Sequence, residues 1–129
     1  MATPEVFETD QQGDTLVVVA RENVSGLAGY TLKAELDGLI EQFAEEHSRN
    51  IVIDLDRAGY FGTYMLELMQ GLWQNVRRSH GKMALCNLSD LGMEILHVSR
   101  FDTLWPICPS REEALKAVAR QSAPEAPKA

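Results

Sequence analysis

Ile51-Val52-Ile53-Asp54-Leu55-Asp56-Arg57-Ala58-Gly59-Tyr60-Phe61-Gly62-Thr63 is the stretch on which the fold turns. Its opening Ile51-Val52-Ile53, with Leu55 after Asp54, is a β-branched run with little alternation. That pattern belongs to a central strand covered on both faces. A short turn comes next, and then Met65, Leu68, Met69, Leu72, Trp73 and Val76 recur at helical spacing from Thr63 to about Arg78. Gly81 is placed to end that helix, and Lys82-Met83-Ala84-Leu85-Cys86 reads as the next strand. Strand, helix and strand in this order predict a parallel crossover.

Upstream, Val6-Phe7-Glu8-Thr9 and Leu16-Val17-Val18-Val19-Ala20 flank the turn Gln11-Gln12-Gly13-Asp14, which predicts a hairpin. A helix is expected from about Leu27 to Glu46, with Leu32, Leu36, Leu39, Ile40 and Phe43 as its stripe and Ser25 as its cap. Downstream, Ser89 can cap a helix from about Asp90 to Ser99 whose apolar residues are Leu91, Ile95, Leu96 and Val98. Leu104 to Cys108 can hold a last short strand, and Ser110 with Glu113 forms a capping box for a final helix to about Arg120. The sum is one α/β domain over residues 1–120, with a mixed sheet of four to five strands and about four helices. The Ala- and Pro-rich segment 121–129 is expected to be disordered. No repeat and no linker divides the domain.

Composition narrows the function. With 45% apolar and 24% charged residues in a chain of 129, this is the balance of a soluble globular domain. A net charge of −7 repels phosphate backbones and anionic lipid, so neither nucleic-acid binding nor membrane insertion is expected. Met1 to Glu5 carries no basic region and no apolar run, and no segment reads as a membrane span. A cytoplasmic location is therefore expected. Cys86 and Cys108 lie in apolar stretches and are expected to be reduced and to act as small hydrophobes. His47, His80 and His97 have no metal-ligand spacing with them, and His47 and His80 fall at helix ends, where a cation meets the negative end of the helix. No metal or cofactor is expected.

Catalytic motifs of the GxSxG, phosphate-loop, HExxH or CxxC kind are absent. Glu41, Glu45 and Glu46 read as a solvated helix face. Asp54 and Asp56, at the carboxyl end of the central strand, are the best enzymatic candidates. No nucleophile–base pair accompanies them, so no catalytic residue is assigned. Thr63 stands apart, because it is placed to be the N-cap of the helix it opens. Its hydroxyl can do that alone. It can equally accept a phosphoryl group, since a phosphate there would sit on free N–H groups and the positive helix end. Such a group adds about two negative charges at one surface point, enough to repel a docked partner.

The same residues resemble a known family. The run from Ile51 to Thr63 resembles the STAS segment (the anti-sigma-factor-antagonist fold), in which a strand and turn lead to Asp-Ser-Ser/Thr-Gly-Leu. Gly81 to Ser89, Ile95-Leu96 with Phe101 to Ile107, and Ser110 to Leu115 resemble further STAS segments in the family's order. The resemblance implies a regulatory protein that is not an enzyme. Such an antagonist binds an anti-sigma factor that is also a serine kinase, is released by phosphorylation, and is restored by a phosphatase. Thr63 matches the phosphoacceptor position. Gly62 stands where the family has Asp, Tyr64 replaces the second Ser/Thr, Met65 replaces Gly, and Leu66 is kept. Arg21-Glu22-Asn23-Val24 replaces the early GELD segment. The partner-binding face implied is Arg21, Glu22, Asn23, Ser25, Gly62, Thr63 and Tyr64, on a monomer or weak homodimer. Two alternatives stand beside the phosphorylation switch. One is a phosphorylation-independent STAS adaptor or scaffold, such as an accessory subunit of a lipid-transporter ATPase. The other is a small nucleotide-binding protein or enzyme.

Overall fold

A computed structural model describes residues 6–21, 24 and 26–122, the last three by backbone only. The chain forms β1 (Phe7–Gln12), β2 (Thr15–Ala20), α1 (Gly29–Glu45), β3 (Asn50–Asp54), α2 (Thr63–Arg78), β4 (Met83–Cys86), α3 (Asp90–Val98), a 3-10 turn (Phe101–Thr103), β5 (Ile107–Cys108) and α4 (Arg111–Ser122). This is the single α/β domain that the alternation of elements predicts. The five strands lie in the order β1-β2-β3-β4-β5. β1 runs antiparallel to β2, and the remaining pairs are parallel.

The topology obeys one rule. Crossovers between parallel strands share a hand, so three successive steps in one direction along the sheet put their helices on one face. α1, α2 and α3 accordingly share a core with the sheet residues Leu16, Val18, Ile51, Ile53, Met83 and Leu85. The alternate residues Val17, Val19, Val52, Ala84 and Cys86 face the other way, where Ala114 and Val118 of α4 cover them. All five residues of β3 are buried: Ile51, Val52 and Ile53 as their apolar run requires, and the polar Asn50 and Asp54 with hydrogen-bond partners.

β1 extends to Gln12 and not to Thr9, since an edge strand with one solvated face carries polar residues such as Glu8, Asp10 and Gln12 without an apolar signal. α1 starts at Gly29 with Ala28 as its N-cap, in place of the expected Ser25, which lies outside the described residues. The Thr31 hydroxyl accepts the Ala28 N–H at 3.2 Å and donates to the Ala28 carbonyl at 3.0 Å, the half of a capping box that the third helical residue supplies. Ser89 does cap α3, accepting the Gly92 N–H at 3.0 Å. Ser110 likewise accepts the Glu113 N–H at 3.2 Å, and α4 runs on through Ser122, two residues beyond the expected end.

α1 and α2 terminate alike. His47 and His80 take the left-handed conformation, with φ of 55° and 59°. The next amides, of Ser48 and Gly81, close back on the carbonyls of Phe43 and Val76 at 3.0 and 2.9 Å. The left-handed residue is therefore His80 and not Gly81. Gly81 meets a different demand: a Cβ there would lie 1.7 Å from the Arg49 carbonyl oxygen. The chain entering β4 crosses the chain entering β3 with no room for a side chain. Gly81→Ala is expected to destabilise the domain by about 3 kcal/mol, read as a lowered denaturant midpoint with an unchanged slope.

Candidate partner-binding site

The site is the corner where β3 hands over to α2. Phe61 and Met65 are both buried, and together they fix the phase at which the helix starts. Gly62, extended at φ −120° and ψ −156°, is the N-cap, and its carbonyl accepts the N–H groups of Met65 and Leu66 at 3.1 and 3.3 Å. Thr63 is therefore the first helical residue, and its expected role as cap is overturned: α2 has no side-chain cap hydrogen bond. Threonine and glycine are nearly equal as caps by intrinsic preference, so the burial of residues on either side decides. The Thr63 side chain is exposed. The amides of Thr63 and Tyr64, at the first two helical positions, have no acceptor within the helix.

Aromatic rings flank this corner. The half-exposed Tyr60 lies across Gly62, where a Cβ would come 3.5 Å from its hydroxyl. Tyr64, 42% exposed, lies across Gly29 at the start of α1, where a Cβ would come 3.2 Å from its hydroxyl. Tyr64 thus packs the opening turn of α2 against the first residue of α1. Met65 points into the core, as its place in the apolar stripe suggests. Arg21 is held to one side, its Nε 3.1 Å from Glu8 Oε2, and Arg57 from the β3–α2 turn reaches the same carboxylate at 3.2 Å. Gly62, Thr63 and Tyr64 therefore form one surface, and Arg21 is anchored beside β1. Glu22, Asn23 and Ser25 lie outside the described residues.

A groove of about 440 Å³ opens beside Thr63, between the start of α2 and α3, and its apolar lining includes Phe61, Leu66, Leu91, Ile95 and Val98. Leu91 is 46% exposed and Val98 74%, whereas Leu96 is fully buried. The four apolar residues of α3 therefore divide between two faces. The sequence does carry this signal: Leu91, Ile95 and Val98 lie along one helical stripe, and Gly92 and Leu96 along another. Reading the four as one set hides it.

Asp54, one of the two enzymatic candidates, is taken up by structural contacts. Asp54 is buried and receives three donors: Arg111 Nε at 2.9 Å, Asn87 Nδ2 at 3.0 Å and the Asp56 N–H at 3.0 Å. Burial pushes its carboxyl up, but the Asn87, Asp56 and Arg111 donors outweigh that and hold its pKa below the ordinary value. The group fastens α4 to the end of β3. Among the described residues, no cluster of three His, Cys, Asp or Glu side chains could hold a metal ion, and no helix is long and apolar enough to cross a membrane.

A mixed sheet with three helices on one face and a fourth on the other, with an exposed hydroxyl at a strand-to-helix corner, defines a small α/β domain. The chain matches the STAS domain over residues 7–114 and belongs to that family. It is 26% identical over 108 residues to the Bordetella bronchiseptica protein named "Putative anti-sigma factor antagonist BtrV", across 84% of this chain and 90% of that one. Its fold is similar to that of an anti-sigma-factor antagonist (STAS) domain protein from Planctomyces limnophilus, at a TM-score of 0.72 and 24% identity, over 88% of this chain and 97% of that one. It is also similar to the Bacillus cell fate determinant SpoIIAA in its phosphorylated form, at a TM-score of 0.64 and 18% identity, over 87% of this chain and 98% of that one.

The lowered pKa of Asp54 has a signed consequence. Its ionised form is favoured by folding, so its contribution is complete above the unfolded value near 4 and is lost as pH falls through the lower folded value. Asp54→Ala is expected to cost about 2–3 kcal/mol at neutral pH. Chemical denaturation at pH 7 and pH 3 checks this: the gap between the two proteins should shrink at the lower pH.

Proposed function

We propose that this chain is an anti-sigma factor antagonist whose docking is switched at Thr63. The unphosphorylated domain presents the Thr63 corner and the adjoining groove to an anti-sigma factor that carries serine-kinase activity, and so withdraws that factor from its sigma factor. Transfer of a phosphoryl group from a nucleoside triphosphate to the Thr63 hydroxyl, with loss of the hydroxyl proton, ends the docking. The observation that carries this reading is the Thr63 side chain itself: exposed, at the first helical position, and engaged in no cap. A hydroxyl already spent on capping would have to break that bond to react. Here the phosphate would meet the unengaged amides of the first turn and the positive helix end, so the fold tolerates it. The added charge, set against an apolar groove, repels and must be desolvated when a partner closes over it. Leu91 and Val98 supply the apolar contact area of that closure. The Arg21 side of the corner, with Glu22, Asn23 and Ser25, would form its margin. A site in the cytoplasm, where such factors act, completes the reading.

A second reading rests on Gly62 and Tyr64. The family Asp is absent, and the bulky Tyr64 ring is packed across Gly29 where the family has a small hydroxyl residue. A surface so altered suits constitutive docking, as in an adaptor or an accessory subunit of a lipid-transporter ATPase.

Capture of the partner from native lysate, with mass spectrometry of Thr63, separates the two. On the switched reading, Thr63→Glu should bind that partner at least about tenfold more weakly than Thr63→Ala, or about 1.4 kcal/mol. Equal binding by the two variants, with Thr63 always unmodified, establishes the adaptor instead. On either reading Val98→Asp should weaken binding about tenfold while changing stability by no more than about 0.5 kcal/mol, because the side chain lies on the surface.

A further inference from the structure

We infer that Cys86 and Cys108 form a redox modification site, closing to an intramolecular disulfide when the protein meets a peroxide. This stands apart from the docking corner and does not depend on it. β4 and β5 are parallel neighbours, and in their register Cys86 pairs directly with Cys108. Neighbouring strands lie about 4.8 Å apart, inside the span of about 4.4–6.8 Å that a disulfide bridges between Cα atoms. The two side chains also share a face. Met83 and Leu85 point to the α1–α3 side, Ala84 and Cys86 to the α4 side, and Cys108 packs against that same α4-side cluster. The backbone is already drawn together at this point, with the Asn87 N–H donating to the Cys108 carbonyl at 3.2 Å. β5 is only two residues long and lies at the sheet edge, so it can shift to let the bond close.

The two thiols, both reduced here, differ in access: Cys86 is buried and Cys108 partly exposed. Burial pushes the Cys86 thiol up to about 12, with the Asp54 carboxylate adding to the effect, so Cys86 is not the first to react. This difference orders the steps. The Cys108 thiolate attacks the peroxide oxygen, an S–O bond forms, the O–O bond breaks, and the departing hydroxide is protonated to water. The Cys86 sulfur then attacks the Cys108 sulfenic sulfur, an S–S bond forms, and the S–O bond breaks. The leaving hydroxide takes the Cys86 proton as a second water. Two thiols lose two electrons and two protons, and one peroxide becomes two waters. The bond would fasten the edge strand, and with it the start of α4, to β4 beside the Asp54–Arg111 pair.

The test uses the full chain, reduced, exposed to hydrogen peroxide, quenched, denatured and alkylated with a maleimide. The expected result is a monomer lighter by two hydrogens with neither thiol alkylated, reversed by a dithiol reductant, and with a raised denaturant midpoint before reduction. Two alkylated thiols, an oxygen adduct on Cys108 with Cys86 still alkylated, or a disulfide-linked dimer would each overturn the inference. Cys86→Ala tests the order of reaction without relying on the bridge: dimedone should trap a sulfenic acid on Cys108. A variant that remains untrapped, under conditions that close the bridge in the parent chain, overturns the proposed sequence of steps.

Discussion

The two-sided burial of β3 is the constraint on which the rest of this molecule depends. Ile51 and Ile53 look into the core shared with α1, α2 and α3, while Val52 looks into the one made by α4. Each fully buried side chain of this size contributes on the order of 1.5–3 kcal/mol, and neither face of the strand can be exposed without losing that contribution. The strand therefore holds its register against both neighbours, and the groups at its carboxyl end are placed with the same rigidity. Those groups are the Asp54 network on one side and the Thr63 corner on the other.

Asp54 and Thr63 illustrate opposite uses of that end of the sheet. Asp54 is drawn inward, and three donors keep it ionised despite burial. Its work is to join β3 to the first residue of α4 across 57 positions of sequence. Thr63 is turned outward, because Phe61 before it and Met65 after it are both committed to the core. With both neighbours anchored, the corner holds its hydroxyl at the surface without any bond from the hydroxyl itself. A rigid frame with an unengaged reactive group suits a surface that is read by another protein.

The apolar surface tells the same story from the packing side. A domain with three helices on one face could have buried Leu91 and Val98 by rolling α3 a fraction of a turn. It does not, because Gly92 and Leu96 hold the inward face: a Cβ at Gly92 would meet Leu88 at 2.9 Å and Phe61 at 3.4 Å. The close approach of α3 to the ring beneath the corner leaves its second stripe facing the groove. The groove is thus a consequence of how tightly α3 packs.

Much of this was legible in the sequence. The apolar run of β3, the stripe of α2, the Ser89 cap and the alternation of strands and helices sufficed for an α/β sheet with parallel crossovers, because each is a local pattern with a period of its own. The STAS resemblance was legible for the same reason, since it rests on segments in order. Three things were not local and were settled by tertiary structure. The cap of α2 passed from Thr63 to Gly62 because burial of two residues outside the cap fixed the helix phase. Gly81 proved to be required by a backbone crossing with Arg49, 32 residues away, while the left-handed residue that ends the helix is His80. The face of α3 that stays exposed depends on what lies under its other face. Periodicity reports that a helix has an apolar side. Only packing against the remainder of the chain decides which residues that side includes and which are left for a partner.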